Sequence, residues 1–130
     1  MAPTNTHNGS QELVPITDRA FAFAVRVVKL CKYLERHSGV SKLIISQLLA
    51  AATSVAANLE EAVAAQSRAD FIHKNAISLK EARESNYWLR LIVATEPFKP
   101  SIRSGILQLV QESCEISKII AKRIISSKVK

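Results

Sequence analysis

The chain has 130 residues, of which 48% are hydrophobic, 22% charged and 5% aromatic, with only 3 Gly and 4 Pro. That length fits one domain with a buried core, and so few turn-forming residues argue against a β-sandwich, a disordered chain or a disulfide scaffold. Eighteen Lys and Arg against 11 Asp and Glu give a net charge of +7, which suits contact with an acidic partner.

Residues 1–16 lack periodicity and are expected to form a flexible N-terminal tail; Met1 to Gln11 is polar, without the apolar stretch of a signal peptide. Helix 1 is expected over 17–36, capped by Thr17 or Asp18, with Phe23, Ala24, Val27, Val28, Leu30, Cys31 and Leu34 on one face. Arg19, Arg26, Lys29, Lys32 and Arg36 gather on the other. His37-Ser38-Gly39 ends it, the glycine suiting a left-handed cap.

Helix 2 follows over 41–66, uncharged from Leu43 to Leu59 and rich in alanine, the pattern of a helix surrounded by protein. Its polar residues, and an uncharged run shorter than the roughly 20 apolar residues of a span, argue against a membrane helix. A cytoplasmic protein is the expectation. Ser67-Arg68-Ala69-Asp70 has the form of a capped start to helix 3, over 67–94, with Phe71, Ser78, Leu79, Ala82, Asn86, Leu89 and Val93 inside. Pro97 and Pro100 bound a short connection, and Ser101 is expected to cap helix 4, over 101–127. Its apolar sector, Ile102, Ile106, Leu109, Val110, Ile116, Ile120 and Ile124, broadens through Leu107, Cys114, Ala121 and Ile125.

Four long helices with short connections predict an all-α, antiparallel up-down four-helix bundle over 17–130. The surplus apolar surface of helices 2 and 4 predicts a homo-oligomer. Cys31 and Cys114 lie in apolar patterns, far apart and without metal-ligand spacing, so buried reduced thiols are expected and neither metal nor cofactor is.

Two stretches carry a family resemblance. Ser54-Val55-Ala56-Ala57-Asn58-Leu59-Glu60-Glu61-Ala62 resembles the S-[IV]-x-x-N-[IL]-x-E signature of the four-helix-bundle proteins also called 23S ribosomal-RNA intervening-sequence proteins. Asp70-Phe71-Ile72-His73, Ile77 to Ala82, Glu84 and Tyr87-Trp88-Leu89 resemble that family's helix 3 run. Glu60, Ala62 and Ala56 depart from its usual residues without touching the fold. The resemblance implies a helical bundle assembling into a ring, a homopentamer, with no enzymatic activity. The fold is also similar to the basic accessory subunits of diversity-generating retroelement reverse transcriptases, which makes a reverse transcriptase a possible partner.

Ser54, Asn58 and Glu61 fall at i, i+4 and i+7, one polar stripe on an apolar helix. The stripe reads either as a binding or catalytic site inside the bundle or, preferably, as a structural polar network with Ser78, Glu81, Asn86 or Tyr87 of helix 3. Glu81 and Glu84 form a carboxylate pair of a kind common on solvated helices. A di-iron bundle needs two Glu-x-x-His pairs, and Asp70-x-x-His73 is one weak likeness. Arg68 and His73 match the short R-x4-6-H pattern resembling HEPN-type ribonucleases, in which His serves as base and Arg holds phosphate.

The charge excess is concentrated, +3 over 17–37 and +5 over 97–130. Lys118, Lys122, Arg123, Lys128 and Lys130 crowd the C-terminus, and together with the basic face of helix 1 they form the expected nucleic-acid-binding surface. Scarce aromatics favour backbone contact over base stacking. The leading expectation is a non-enzymatic oligomer binding RNA or an RNA–DNA hybrid. The alternatives are an accessory ring for a reverse transcriptase and, more distantly, a HEPN-like ribonuclease.

Overall fold

The computed structural model describes residues 14–129. Among them are four helices: α1 (Ile16–His37), α2 (Lys42–Val63), α3 (Arg68–Thr95) and α4 (Pro100–Lys128). Each packs on its chain neighbours and α1 closes the bundle on α4, the sparsest of the four seams. The architecture is the expected all-α four-helix bundle. The N-terminal tail lies, apart from Val14, Pro15 and the first helical residue Ile16, outside the described residues.

Helix starts follow two mechanisms. Ser41 Oγ accepts from the Leu43 N–H at 3.2 Å and Ser67 Oγ from the Asp70 N–H at 3.0 Å, so both side chains satisfy otherwise orphaned donors. By contrast α1 begins before its expected caps: the Arg19 N–H donates to Pro15 O at 3.1 Å, and Thr17 and Asp18 fall inside the first turn. Helix α4 likewise starts at Pro100 rather than after a Ser101 cap. A proline in the first turn loses no hydrogen bond, because its missing N–H has no helical acceptor there.

Two ends differ from expectation. Gly39 is not a left-handed cap, since no described glycine has positive φ. Instead Ser38 Oγ donates to Leu34 O at 2.7 Å, and the Gly39 N–H donates to Glu96 Oε1 at 3.0 Å. A Cβ on Gly39 would sit 3.4 Å from that oxygen, an ordinary contact with the movable end of a glutamate side chain. Helix α2 stops at Val63 rather than Gln66, where Ala64 and Ala65 make tightened bonds back to Glu61 O and Ala62 O.

Phe23, Val27 and Leu34 of α1, Leu48, Val55 and Leu59 of α2, Leu89 and Ile92 of α3, and Ile106, Ile116 and Ile120 of α4 form the fully buried core. Cys31 is buried as expected, and burial pushes its thiol up to about 11. Cys114 is exposed, contrary to expectation: Ser113 takes the buried position beside it. Asn75, Ser78 and Ser85 of α3 are buried too, each with its side chain hydrogen-bonded to a backbone carbonyl.

Helix α2 is long and apolar enough to cross a membrane by length and composition, yet its eight buried residues belong to the bundle. Within the single chain it is not surrounded by protein. Leu43, Leu49 and Val63 are exposed, as are Phe21 and Val25 on α1 and Leu107 and Ile125 on α4.

Candidate nucleic-acid interface

The polar stripe of α2 does not converge on one site. Asn58 Nδ2 donates to the Ser54 backbone carbonyl at 2.9 Å, within its own helix rather than toward α3. Glu61 reaches α3, but through Lys74 at 2.7 Å rather than through Ser78, Glu81, Asn86 or Tyr87. The buried polar link between these helices is instead Ser78 Oγ donating to Val55 O at 2.8 Å. Glu84 accepts from Trp88 Nε1 at 3.2 Å, and exposed Tyr87 lies edge-on to Trp88. Burial, reinforced by the charge of Glu84, pushes the Glu81 carboxyl above its ordinary value. Arg68 and His73 are both exposed, about 140° apart around α3, which points them at different sectors.

The cations of α1 divide into two groups. Arg19 makes a two-pronged bond to Glu112 of α4, Nε at 3.0 Å and a terminal nitrogen at 2.7 Å. Hydrogen bonding to that carboxylate raises its pKa against the opposing effect of burial. Its charge is thus committed to the sparse α1–α4 seam. Arg26 stands 3.5 Å from Gln108 Oε1, and Arg26, Lys29, Lys32 and Arg36 are exposed.

On α4, Lys118, Lys122 and Lys128 are exposed, Lys118 only 4.0 Å from Glu115 at the limit of an ion pair. Arg123 is half-buried, its guanidinium carbon 5.0 Å from the centre of the Phe71 ring. Lys130 lies outside the described residues.

One cationic feature was not expected from the sequence. Arg83 and Arg90 of α3 and Lys118 of α4 line one groove with Asn86, Cys114 and Ser117, of about 330 Å³. Asn86 organises it. Its Nδ2 donates to Val110 O at 3.2 Å and to Ser113 Oγ at 3.0 Å, and its Oδ1 accepts from Arg90 Nε at 2.7 Å. The amide ties an arginine of one helix to the backbone of the other. Arg83 and Arg90, seven residues apart, share one face of α3, which was the available signal; Asp70, Glu81, Glu84 and Glu96 on the same segment cancel it in a charge count.

A search of curated proteins found no significant match. Among solved structures, this chain is similar to a protein of unknown function from the S23 ribosomal protein family of Bacteroides thetaiotaomicron. The two share 39% identity over 85% of this chain and 98% of the other, with a TM-score of 0.76. The family profile described as 23S rRNA-intervening sequence protein matches residues 12–122, nearly the whole bundle. The chain therefore belongs to the 23S rRNA-intervening sequence protein family.

Proposed function

We propose that this protein is a non-catalytic, oligomeric nucleic-acid-binding protein that holds the phosphate backbone of RNA or an RNA–DNA hybrid. The observation that carries the reading is the α3–α4 groove, where Arg83, Arg90 and Lys118 converge with Asn86 holding one guanidinium in place. Arginine forks on a rigid helix pair suit phosphate oxygens. The exposed Arg26, Lys29, Lys32 and Arg36 on α1, and Lys122 and Lys128 on α4, extend the charged surface. Repetition around a ring turns weak phosphate contacts into avidity.

Self-association is supported by a second groove, of about 500 Å³, between α1 and α2. Phe21, 58% exposed, Val25, Ala57 and Thr53 line it, with Lys29 and Lys32 on one rim and Glu60 on the other. An apolar strip flanked by opposite charges suits a protein surface of mixed charge, and the occupant proposed is a second copy of this chain, which presents a different face to the strip, head to tail, around a homopentamer. The same strip favours the second reading, an accessory ring for a reverse transcriptase, in which the nucleic acid is held by the partner enzyme.

Fluorescence anisotropy with structured RNA, duplex DNA and an RNA–DNA hybrid across a salt series tests the two readings. Direct binding gives an affinity that falls steeply with salt. Replacing Arg83, Arg90 and Lys118 together by Gln reduces the slope by up to about 2.7 for each subunit engaged. Absence of binding at low salt refutes the nucleic-acid function and leaves the protein-partner reading.

A further inference from the structure

Arg123 differs from the other described cations in being half-buried without an acidic partner. The guanidinium carbon lies over the Phe71 ring at the head of α3, 5.0 Å from the ring centre. Burial lowers its pKa, and no carboxylate among the described residues offsets the lost hydration, in contrast to Arg19 beside Glu112. Asp70, adjacent to Phe71 in the chain, acts on Lys74 instead. The result is a cation partly stripped of water, set over an aromatic face and without a carboxylate partner among the described residues.

It opens on a groove of about 420 Å³ lined by Phe71, Ile119, Lys122, Arg123, Ser126 and Ser127. The hydroxyls have different duties. Ser127 Oγ donates to Arg123 O at 2.9 Å, so its proton is spent on the helix backbone. Ser126 is exposed, and Lys122 presents an exposed ammonium one residue before Arg123.

We infer that this corner of the bundle is a discrete phosphate-group site, with the Arg123 fork, the Lys122 ammonium and the Ser126 hydroxyl as its donors. The inference rests on the nucleic-acid reading above and specifies a second point, apart from the α3–α4 groove, where one phosphate of a strand is taken. A tetrahedral oxyanion accepts two parallel N–H bonds from an arginine fork, and the guanidinium regains the partner it lost on burial. Its half-buried position over the Phe71 ring already restricts the Arg123 side chain, so less freedom is lost on binding than for a fully exposed arginine.

The test is thermal melting of the full chain in inorganic phosphate against chloride at matched ionic strength, pH and protein concentration. Phosphate raises the Tm of most proteins by exclusion from their surface, so the readout is the difference between wild type and variants. With phosphate at roughly ten times its dissociation constant, wild type gains about 4–6 °C more than Arg123→Gln. Phe71→Leu, which keeps the charge and loses the stacking face, retains less than half of that gain. Equal shifts in wild type and Arg123→Gln overturn the inference; should that variant not fold, Arg123→Lys replaces it, and a full-sized shift there overturns it equally. RNA anisotropy separates this from the parent reading. A strand that binds wild type and Arg123→Gln alike, with one salt slope, removes the site and leaves the function. A phosphate shift specific to Arg123, with no strand bound, keeps the site and removes the function.

Discussion

Asn75 offers a sharp test of the packing. It is fully buried on α3; its Nδ2 donates to Phe71 O at 2.8 Å, while its Oδ1 has no hydrogen-bond partner among the described residues. A carbonyl oxygen buried without a donor costs about 1–3 kcal/mol relative to its hydrated state. Asn75→Leu removes that oxygen in a side chain of similar length. It forfeits the Nδ2 bond, about 1 kcal/mol, but Phe71 O keeps its regular helical donor, the Asn75 backbone N–H, and is not orphaned. Leucine is also the better helix former, by a few tenths of a kcal/mol (~0.5). The balance is a stabilisation of about 1–2 kcal/mol, a rise in Tm of about 3–6 °C for a domain of this size. Differential scanning calorimetry at fixed protein concentration measures it. A Tm lowered by several degrees refutes the reasoning and means that Oδ1 is satisfied in solution, by water or by a neighbouring subunit.

Other expectations concern the surface and the titrating groups. Phe21→Glu, placing a charge on the α1–α2 strip beside Glu60, reduces the mass of the assembly in analytical ultracentrifugation with the helical circular dichroism unchanged; an unaltered mass removes that strip as the subunit contact. Glu81 has a raised pKa in the folded chain. Its ionisation therefore disfavours folding, and this contribution to stability is lost as pH rises from the unfolded carboxyl value through the folded one. Accordingly Glu81→Gln melts higher than wild type at pH 7, and the gap closes below about pH 4; a gap independent of pH contradicts the cause given. Alkylation of the native protein near pH 8, read by mass spectrometry, modifies exposed Cys114 and leaves buried Cys31 untouched until denaturant is added.

The bundle was legible because apolar periodicity is a direct record of burial. Phe23, Val27, Leu34, Leu89, Ile106 and Ile116 all stand on the predicted inner faces and all are buried. The Ser67 cap was legible for the same local reason, since it acts within three residues of itself; Ser41, expected as the first residue of helix 2, proves to be its cap. The starts at Ile16 and Pro100 were not legible, because there a proline's geometry replaces a side-chain cap. Buried Asn75, Ser85 and Ser113 escaped a reading that sorts positions by polarity: they are inside because they are compact or because their side chains bond backward to their own helix. The α3–α4 groove depends on a register between helices. Asn86 and Ser113 are 27 residues apart, and nothing local states that they meet. The charge count of helix 3 hid Arg83 and Arg90 behind acids that face elsewhere.

The sparse α1–α4 seam has a consequence for how the molecule opens. Its salt bridge, Arg19–Glu112, is partly exposed and loses strength in salt. Helix α1 therefore has the least to lose by local unfolding, and its amides exchange with solvent hydrogen before those of α3, which is gripped on two sides. Phe21 and Val25 lie on this same helix, with their apolar surface turned outward. A neighbour seated on them adds its grip where the chain itself supplies least, slowing exchange in α1 far more than in α3. Local stability in this protein is thus distributed so that its most weakly held helix is the one most responsive to company.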